Sequence, residues 1–174
     1  MPSLGKNIAR IVLALTVLSA TGSVAQKSGT NVASQICADQ PLPKTAAIPV
    51  KVLEMLTNRP EVRDAIEGSD KPETLFRATE IDISSGDADL LIIGTAPASG
   101  ADNNWFWIVR HPRAAPQIIL FAGASCLDIL RSRTSGYHDV LIVLATPGEI
   151  IRTVYKFDGG QYRESSKSSE PNNL

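Results

Sequence analysis

A stretch of thirteen residues recurs in this chain at a spacing of fifty. Ser85-Gly86-Asp87-Ala88-Asp89-Leu90-Leu91-Ile92-Ile93-Gly94-Thr95-Ala96-Pro97 aligns without a gap on Ser135-Gly136-Tyr137-His138-Asp139-Val140-Leu141-Ile142-Val143-Leu144-Ala145-Thr146-Pro147. Ser, Gly, Asp, Leu, Ile and Pro are identical, and Leu90/Val140 and Ile93/Val143 are conservative. A glycine-bearing polar turn followed by an apolar run is therefore used twice. Repetition of one supersecondary unit limits the architectures open to the chain more than any other feature.

The repeat lies in a region of short apolar runs separated by turn residues. Strands are expected over 75–83, 89–95, 104–110, 117–122, 125–131, 139–146, 149–157 and 161–165. Ser84-Ser85-Gly86 and Ser135-Gly136 tolerate positive φ, Pro147-Gly148 reverses the chain, and Asp158-Gly159 is a strong hairpin signal with Phe157 and Tyr162 flanking it as a cross-strand pair. Links this short imply sequential antiparallel strands. The repeat divides them into two four-strand meanders, about 75–122 and 125–165. Ile81-Asp82-Ile83 and Leu127-Asp128-Ile129 are read as the matching entries to the two turns.

Upstream, the period changes. Ile48, Val52, Leu53 and Leu56 fall at helical spacing, and Val62 and Ile66 continue it after Pro60, which suits a first helical turn. Gly68 is a terminator. A broken helical hairpin is expected near 46–67. Residues 26–44 are polar and carry Pro41 and Pro43, so they read as an extended arm. Residues 166–174, rich in Ser, Glu, Lys and Asn, read as a flexible tail. The expected fold is α+β: a short N-terminal helical hairpin, then about eight antiparallel strands in two meander units, in a single domain over 45–165.

The first residues read as an address. Lys6 and Arg10 precede an apolar run from Ile11 to Ala20, and Ser23-Val24-Ala25 offers small residues where a signal peptidase cuts. The run is short of the about 20 residues that span a bilayer. Residues 1–25 are thus expected to be a cleaved signal peptide, with no stable membrane insertion afterwards and a periplasmic or secreted destination. The formal net charge of the chain is −1; the leader holds two basic residues and no acid, so the remainder is more acidic still. Such a balance, without a basic block, excludes nucleic acid as the main partner. In an oxidising compartment the two cysteines, Cys37 and Cys126, are expected to form a disulfide.

Around the first repeat turn, Asp82-Ile83-Ser84-Ser85-Gly86-Asp87-Ala88-Asp89-Leu90-Leu91-Ile92 resembles the FG-GAP repeat of integrin-type propellers, a hairpin loop of the type Asp-x-Asn-x-Asp-Gly-x-x-Asp before an apolar strand. Gly136-Tyr137-His138-Asp139-Val140-Leu141-Ile142 resembles the second half only. The family's loop carboxylates bind calcium, and the resemblance maps that role onto Asp82, Asp87 and Asp89. The departures count against it. The first loop is one residue short, and the second has Arg131, Arg133 and Tyr137 where acidic ligands are wanted. A hard cation takes 6–8 oxygens. The aspartates are expected to cap turns instead, with no metal and no cofactor. Two units also cannot close a propeller, which takes at least four blades.

Few residues offer chemistry. In Asn104-Trp105-Phe106-Trp107-Ile108-Val109 the strand period puts Trp105 and Trp107 on one face. Either the helices cover that face or it forms a platform for a sugar ring or a protein. Arg110, Arg113, Arg131 and Arg133 lie near loop ends, where they form a rim for an acidic partner or stay scattered. His111 and His138 sit in turns without metal-ligand spacing. Cys126 and His138 would make a nucleophile pair only if the thiol were free. The chain is expected to be a non-enzymatic binding domain, an inhibitor or immunity-type module for another envelope protein. Trp105, Trp107, Arg110, Arg131 and Arg133 are its candidate contacts. A carbohydrate-binding module using Trp105 and Trp107 is the alternative, and a small hydrolase ranks below both.

Overall fold

Among the described residues, β-branched and leucine-rich runs, punctuated by the turns above, form nine strands in two antiparallel sheets. The computed structural model describes residues 31–86, 88–100 and 103–172; the leader expected at 1–25 lies outside the described residues, as does Asp87. The strands are β1 (Val32–Cys37), β2 (Phe76–Ile81), β3 (Asp89–Gly94), β4 (Asn104–Arg110), β5 (Gln117–Ala124), β6 (Cys126–Thr134), β7 (Tyr137–Ala145), β8 (Glu149–Phe157) and β9 (Tyr162–Pro171). One sheet has the order β2-β3-β4-β5, and the other β1-β6-β7-β8-β9. Two meanders are thus present, one per repeat, and β1 joins the second as an extra edge strand.

β1 falls inside the expected extended arm. It pairs with β6, and Cys37 and Cys126 face each other in that ladder and are disulfide bonded, with 4.0 Å between their Cα atoms. Only Ile36 and Cys37 of β1 are buried, so the bond fastens a strand that little apolar contact holds. β9 runs on through residues expected as a tail. Ser166 to Pro171 pair with β8 on one side only, and all of them are exposed.

The helices are shorter than a clear hairpin requires. α1 (Val50–Thr57) has eight residues and α2 (Arg63–Glu67) five, with a 3-10 turn at Pro60–Val62 between them. Pro60 starts that turn rather than a second full helix. The fold is therefore mostly antiparallel β with a short helical segment, and α+β describes it only coarsely. Val52, Leu56 and Val62 are fully buried and pack this segment on the β2–β5 sheet.

Pairing registers show how the units correspond. Ala78, Thr79 and Glu80 lie opposite Ile92, Leu91 and Leu90, while Leu127, Asp128 and Ile129 lie opposite Ile142, Leu141 and Val140. The counterpart of Leu127-Asp128-Ile129 is therefore Ala78-Thr79-Glu80, not Ile81-Asp82-Ile83; matching motifs by composition misplaced it. Trp107 pairs with Ile92 as Thr153 pairs with Ile142. Even a bulge is repeated. Ile119 is the extra residue of β5 beside the Ile108/Val109 step, and Ser165 is the extra residue of β9 beside the equivalent Val154/Tyr155 step.

The correspondence gives the packing a direction. In the first unit Ala78, Leu90 and Ile92 face the helices, while Leu91, Ile93, Phe106 and Ile108 face the second sheet. In the second unit Leu127, Val140 and Ile142, the counterparts of the helix-facing set, turn toward the first sheet. The units thus stack head to tail, the same way up, and are not mirrored across the core. Three layers result: helical segment, four-stranded sheet, five-stranded sheet.

Candidate functional site

The two repeat turns meet at one end of the sandwich. Ser135 and Gly136 both have positive φ, 52° and 83°, and link Thr134 to Tyr137 as a two-residue hairpin turn of the I′ kind. Glycine suits the second position because it has no Cβ to clash there. The His138 amide then donates to Ile83 O at 2.8 Å, joining the second turn to the approach of the first. Each turn also holds a buried aspartate at the start of its outgoing strand. Asp89 accepts from Ser84 Oγ at 3.3 Å and Asp139 from Thr134 Oγ1 at 2.7 Å. Burial pushes the Asp89 carboxyl above the usual carboxylate range, and the Ser84 hydroxyl, the His111 amide and the charges of His111 and Arg110 pull part of the way back. Asp89 is thus committed to closing its own turn, whereas Asp82 is exposed. Among the described residues no three His, Cys, Asp or Glu side chains are grouped to hold a metal ion.

Aromatic rings seal this end. Tyr137 stacks on Phe157 at 3.9 Å, and Tyr162 meets Phe157 edge-on at 5.5 Å. Phe157 and Tyr162 are the expected cross-strand pair, in register. Tyr162 Oη donates to His138 O at 2.6 Å. Burial and the nearby Asp139 and Asp89 raise the phenol far above its ordinary value, so it stays a donor.

Two of the four candidate arginines reach the same turn. Arg110, ending β4, donates from Nη1 to Tyr137 Oη at 3.2 Å and from Nη2 to Gln117 Oε1 at 2.5 Å, with its guanidinium 5.8 Å from the Phe157 ring centre. Its Nε is buried without a partner. Arg133, ending β6, donates from Nη1 to Gly136 O at 3.0 Å, and its Nη2 lies 2.6 Å from His138 Nε2. His138 Nδ1 lies 2.5 Å from Leu130 O. The carbonyl can only accept, so the imidazole proton belongs on Nδ1 and Nε2 accepts from Arg133. The ion pairs among the described residues use Lys44, Arg59, Arg113, Arg152 and Arg163. Arg110 and Arg133 form none. Their charges rest on neutral acceptors and a ring face, an arrangement that leaves them available to an anion.

The other arginines are not part of the cluster. Arg113 shares Glu80 with Lys44. Arg131 is exposed, and no recorded side-chain contact ties it to Arg110 or Arg133. Tyr137, Gln117 and His138 complete the floor. The pairing of Tyr137 with Arg110 depends on sheet-to-sheet packing and leaves no local signal in either segment.

The tryptophan strand divides differently than its alternation implies. Trp107 is fully buried. It stacks on Phe121 at 5.4 Å, meets Phe76 edge-on at 5.9 Å, and donates from Nε1 to Glu61 Oε1 at 3.4 Å. The helical segment covers it. Trp105 lies beyond that cover, half-buried, 6.5 Å from Phe121, which is 39% exposed. Arg59 sits 5.7 Å over the Phe121 ring and pairs with Glu61 at 2.7 Å. The surface aromatic pair is therefore Trp105 with Phe121. Sequence reasoning passed over Phe121, whose position opposite Trp107 follows from the bulged β4–β5 register.

Cys126 Sγ is bonded to Cys37 and offers no thiol to His138. No helix among the described residues is long and apolar enough to cross a membrane. No family model matches the chain, and no curated protein or solved structure matches it significantly.

Proposed function

We propose that the protein is an exported, non-enzymatic binding domain that captures an acidic segment of another envelope protein, as an inhibitor or immunity-type module would. The observation that carries this reading is the convergence of Arg110 and Arg133, one from each repeat unit, on the Ser135–His138 turn with no carboxylate among the described residues ion-paired to either. A partner carboxylate would gain charge-assisted, bidentate contacts from guanidinium groups already held in place. The leader expected at residues 1–25 and the Cys37–Cys126 bond support a periplasmic or secreted location. The repeat stacked head to tail supports reading each unit as a worn FG-GAP-like blade, kept for architecture and not for calcium.

A second reading, glycan binding, draws on the half-buried Trp105 beside exposed Phe121. Trp107 lies too deep to take part.

The test is affinity capture from envelope extract with the native chain and with Arg110→Glu/Arg133→Glu. A partner retained by the native chain, released by salt and lost with the double substitution is the expected result. Failure to enrich any protein, or retention that ignores the substitution, refutes the reading. A tryptophan fluorescence change with glycans that disappears in Trp105→Ala but survives the arginine substitutions would put the glycan reading in its place.

A further inference from the structure

His138 holds Arg133 on the turn through a lone pair that a proton would remove. Both ring nitrogens are engaged. Nδ1 carries the proton and lies 2.5 Å from Leu130 O, while Nε2 accepts from Arg133 Nη2 at 2.6 Å. The backbone fixes the residue as well. Its amide donates to Ile83 O at 2.8 Å, and its carbonyl accepts from Tyr162 Oη at 2.6 Å. The ring cannot turn over to offer Arg133 its other nitrogen without giving up Leu130 O.

A second proton, taken from solvent, has only Nε2 to go to. The nitrogen that accepted is then a donor, and two cations stand 2.6 Å apart. Arg133 keeps its Nη1 bond to Gly136 O at 3.0 Å, and it is exposed, so its guanidinium can part from the ring. The parted pair presents N–H groups from Nη2 and Nε2, and a carboxylate oxygen between them accepts from both. The proton thus turns an internal hydrogen bond into a second cationic contact for an anion.

Among the described residues, neither His138 nor Arg133 forms an ion pair. The ionisable groups of the neighbouring elements have other contacts. Asp139 on β7 accepts from Thr134, Asp89 on β3 accepts from Ser84, and the Tyr162 phenol on β9 stays a donor. Arg110 on β4 is bonded to Tyr137 and Gln117. Asp82, beside Ile83, and Arg131 on β6 are exposed, and β8 brings the uncharged Phe157.

We infer that protonation of His138 releases Arg133 from the turn and strengthens the hold of this site on an acidic segment, so that capture tightens as the solution is acidified. The inference rests on the reading that Arg110 and Arg133 take such a segment. Imidazole is the side chain whose charge ordinarily changes between about pH 5 and 8.

Two readouts test it, one of them without any ligand. In the free chain, nitrogen NMR should show His138 protonated on Nδ1 at neutral pH. It should also show hindered rotation of the Arg133 guanidinium, lost as His138 takes up its second proton. Against a labelled tetra-aspartate peptide, affinity should rise about fivefold from pH 7.5 to pH 5.5, the effect of one further charge about 4 Å from the ligand in water. His138→Gln should abolish the rise. His111→Asn, at the only other histidine, should keep it. Asp89, raised by burial, still titrates in His138→Gln and so does not account for a rise that this variant loses. Far-ultraviolet circular dichroism reports whether the variants fold, and the free-chain readout needs no variant. A guanidinium that stays hindered after His138 is protonated overturns the inference. So does a rise that survives in folded His138→Gln or disappears in folded His111→Asn. If the native chain binds the peptide at neither pH, the acidic-segment reading fails, and the release of Arg133, read in the free chain, stands or falls by itself.

Discussion

Asp89 and Asp139 stand fifty residues apart and occupy the same place in two stacked units. Each is buried at the start of its strand, each takes a hydroxyl from its own turn, and both act on the phenol of Tyr162. The hydroxyl donors, Ser84 and Thr134, also lie fifty apart, just before the identical Ser-Gly pair. Thr134→Ala would leave the Asp139 oxygen without its nearest donor, at a cost of about 1–2 kcal/mol. Ser84→Ala should cost less, since its bond is 3.3 Å against 2.7 Å and the His111 amide also serves Asp89. Urea unfolding of the two variants should place Thr134→Ala lower, and the reverse order would contradict the geometry.

Burial raises the Asp128 carboxyl above its ordinary 3.8, while the Gln35 amide and the Arg152 charge offset part of the rise. A carboxyl raised on folding binds more proton in the native state, so its contribution to stability falls as pH climbs from the unfolded value through the folded one. Asp128→Asn removes that loss. Its stability relative to the native chain should improve as pH rises above about 4 and level off once Asp128 is fully ionised. Urea midpoints from pH 3 to pH 8, taken in dilute solution, should give a rising difference curve; a flat curve would show that the carboxyl is not perturbed by folding.

The Cys37–Cys126 bond closes a loop with a sequence separation of 89. In the chain-entropy model such a link contributes about 4.6 kcal/mol before strain. Cys37→Ser with Cys126→Ser should lower the unfolding free energy by roughly that amount. Hydrogen exchange should also quicken first at Val32–Cys37, the strand that the bond fastens and that only Ile36 and Cys37 bury. Uniform loosening across both sheets would argue against β1 as the element released.

The two indoles should be separable in solution. Trp107 is enclosed and Trp105 is not. Acrylamide should quench one part of the emission and spare another, and Trp105→Phe should leave only the protected, blue-shifted part. Trp107→Ala should cost about 3–5 kcal/mol, as expected for a large aromatic removed from a core. If both indoles quench alike, the helical segment does not cover β4.

Much of the β architecture was legible because its elements carry short-range signals. Unbroken apolar runs such as Leu90–Ile93 mark strands by themselves, and Ser135-Gly136 and Asp158-Gly159 mark their own turns. β1 was not legible, since Val-Ala-Ser-Gln-Ile-Cys shows neither strict alternation nor an unbroken apolar run and is kept in place by pairing and a covalent bond. The second half of β9 escaped for the same reason: an edge strand facing solvent can be Ser and Lys throughout. The fate of Trp105 and Trp107 turned on where a short helical segment ends, which alternation within β4 does not encode. Arg110 and Arg133 stand out as residue types, but their meeting at Tyr137 and His138 depends on how the two sheets stack.

The shared bulge has a consequence for that stacking. An extra residue bends its strand and increases the local twist, and here Ile119 and Ser165 place that bend at the same point of both hairpins. The β4–β5 and β8–β9 hairpins therefore bend at matching points, as nested spoons do, although the second sheet carries a further irregularity between Ile129 and Arg133. Deleting Ser165 alone, itself exposed, would flatten one spoon and leave the other bent, and the damage would appear between the sheets and not where the residue was lost.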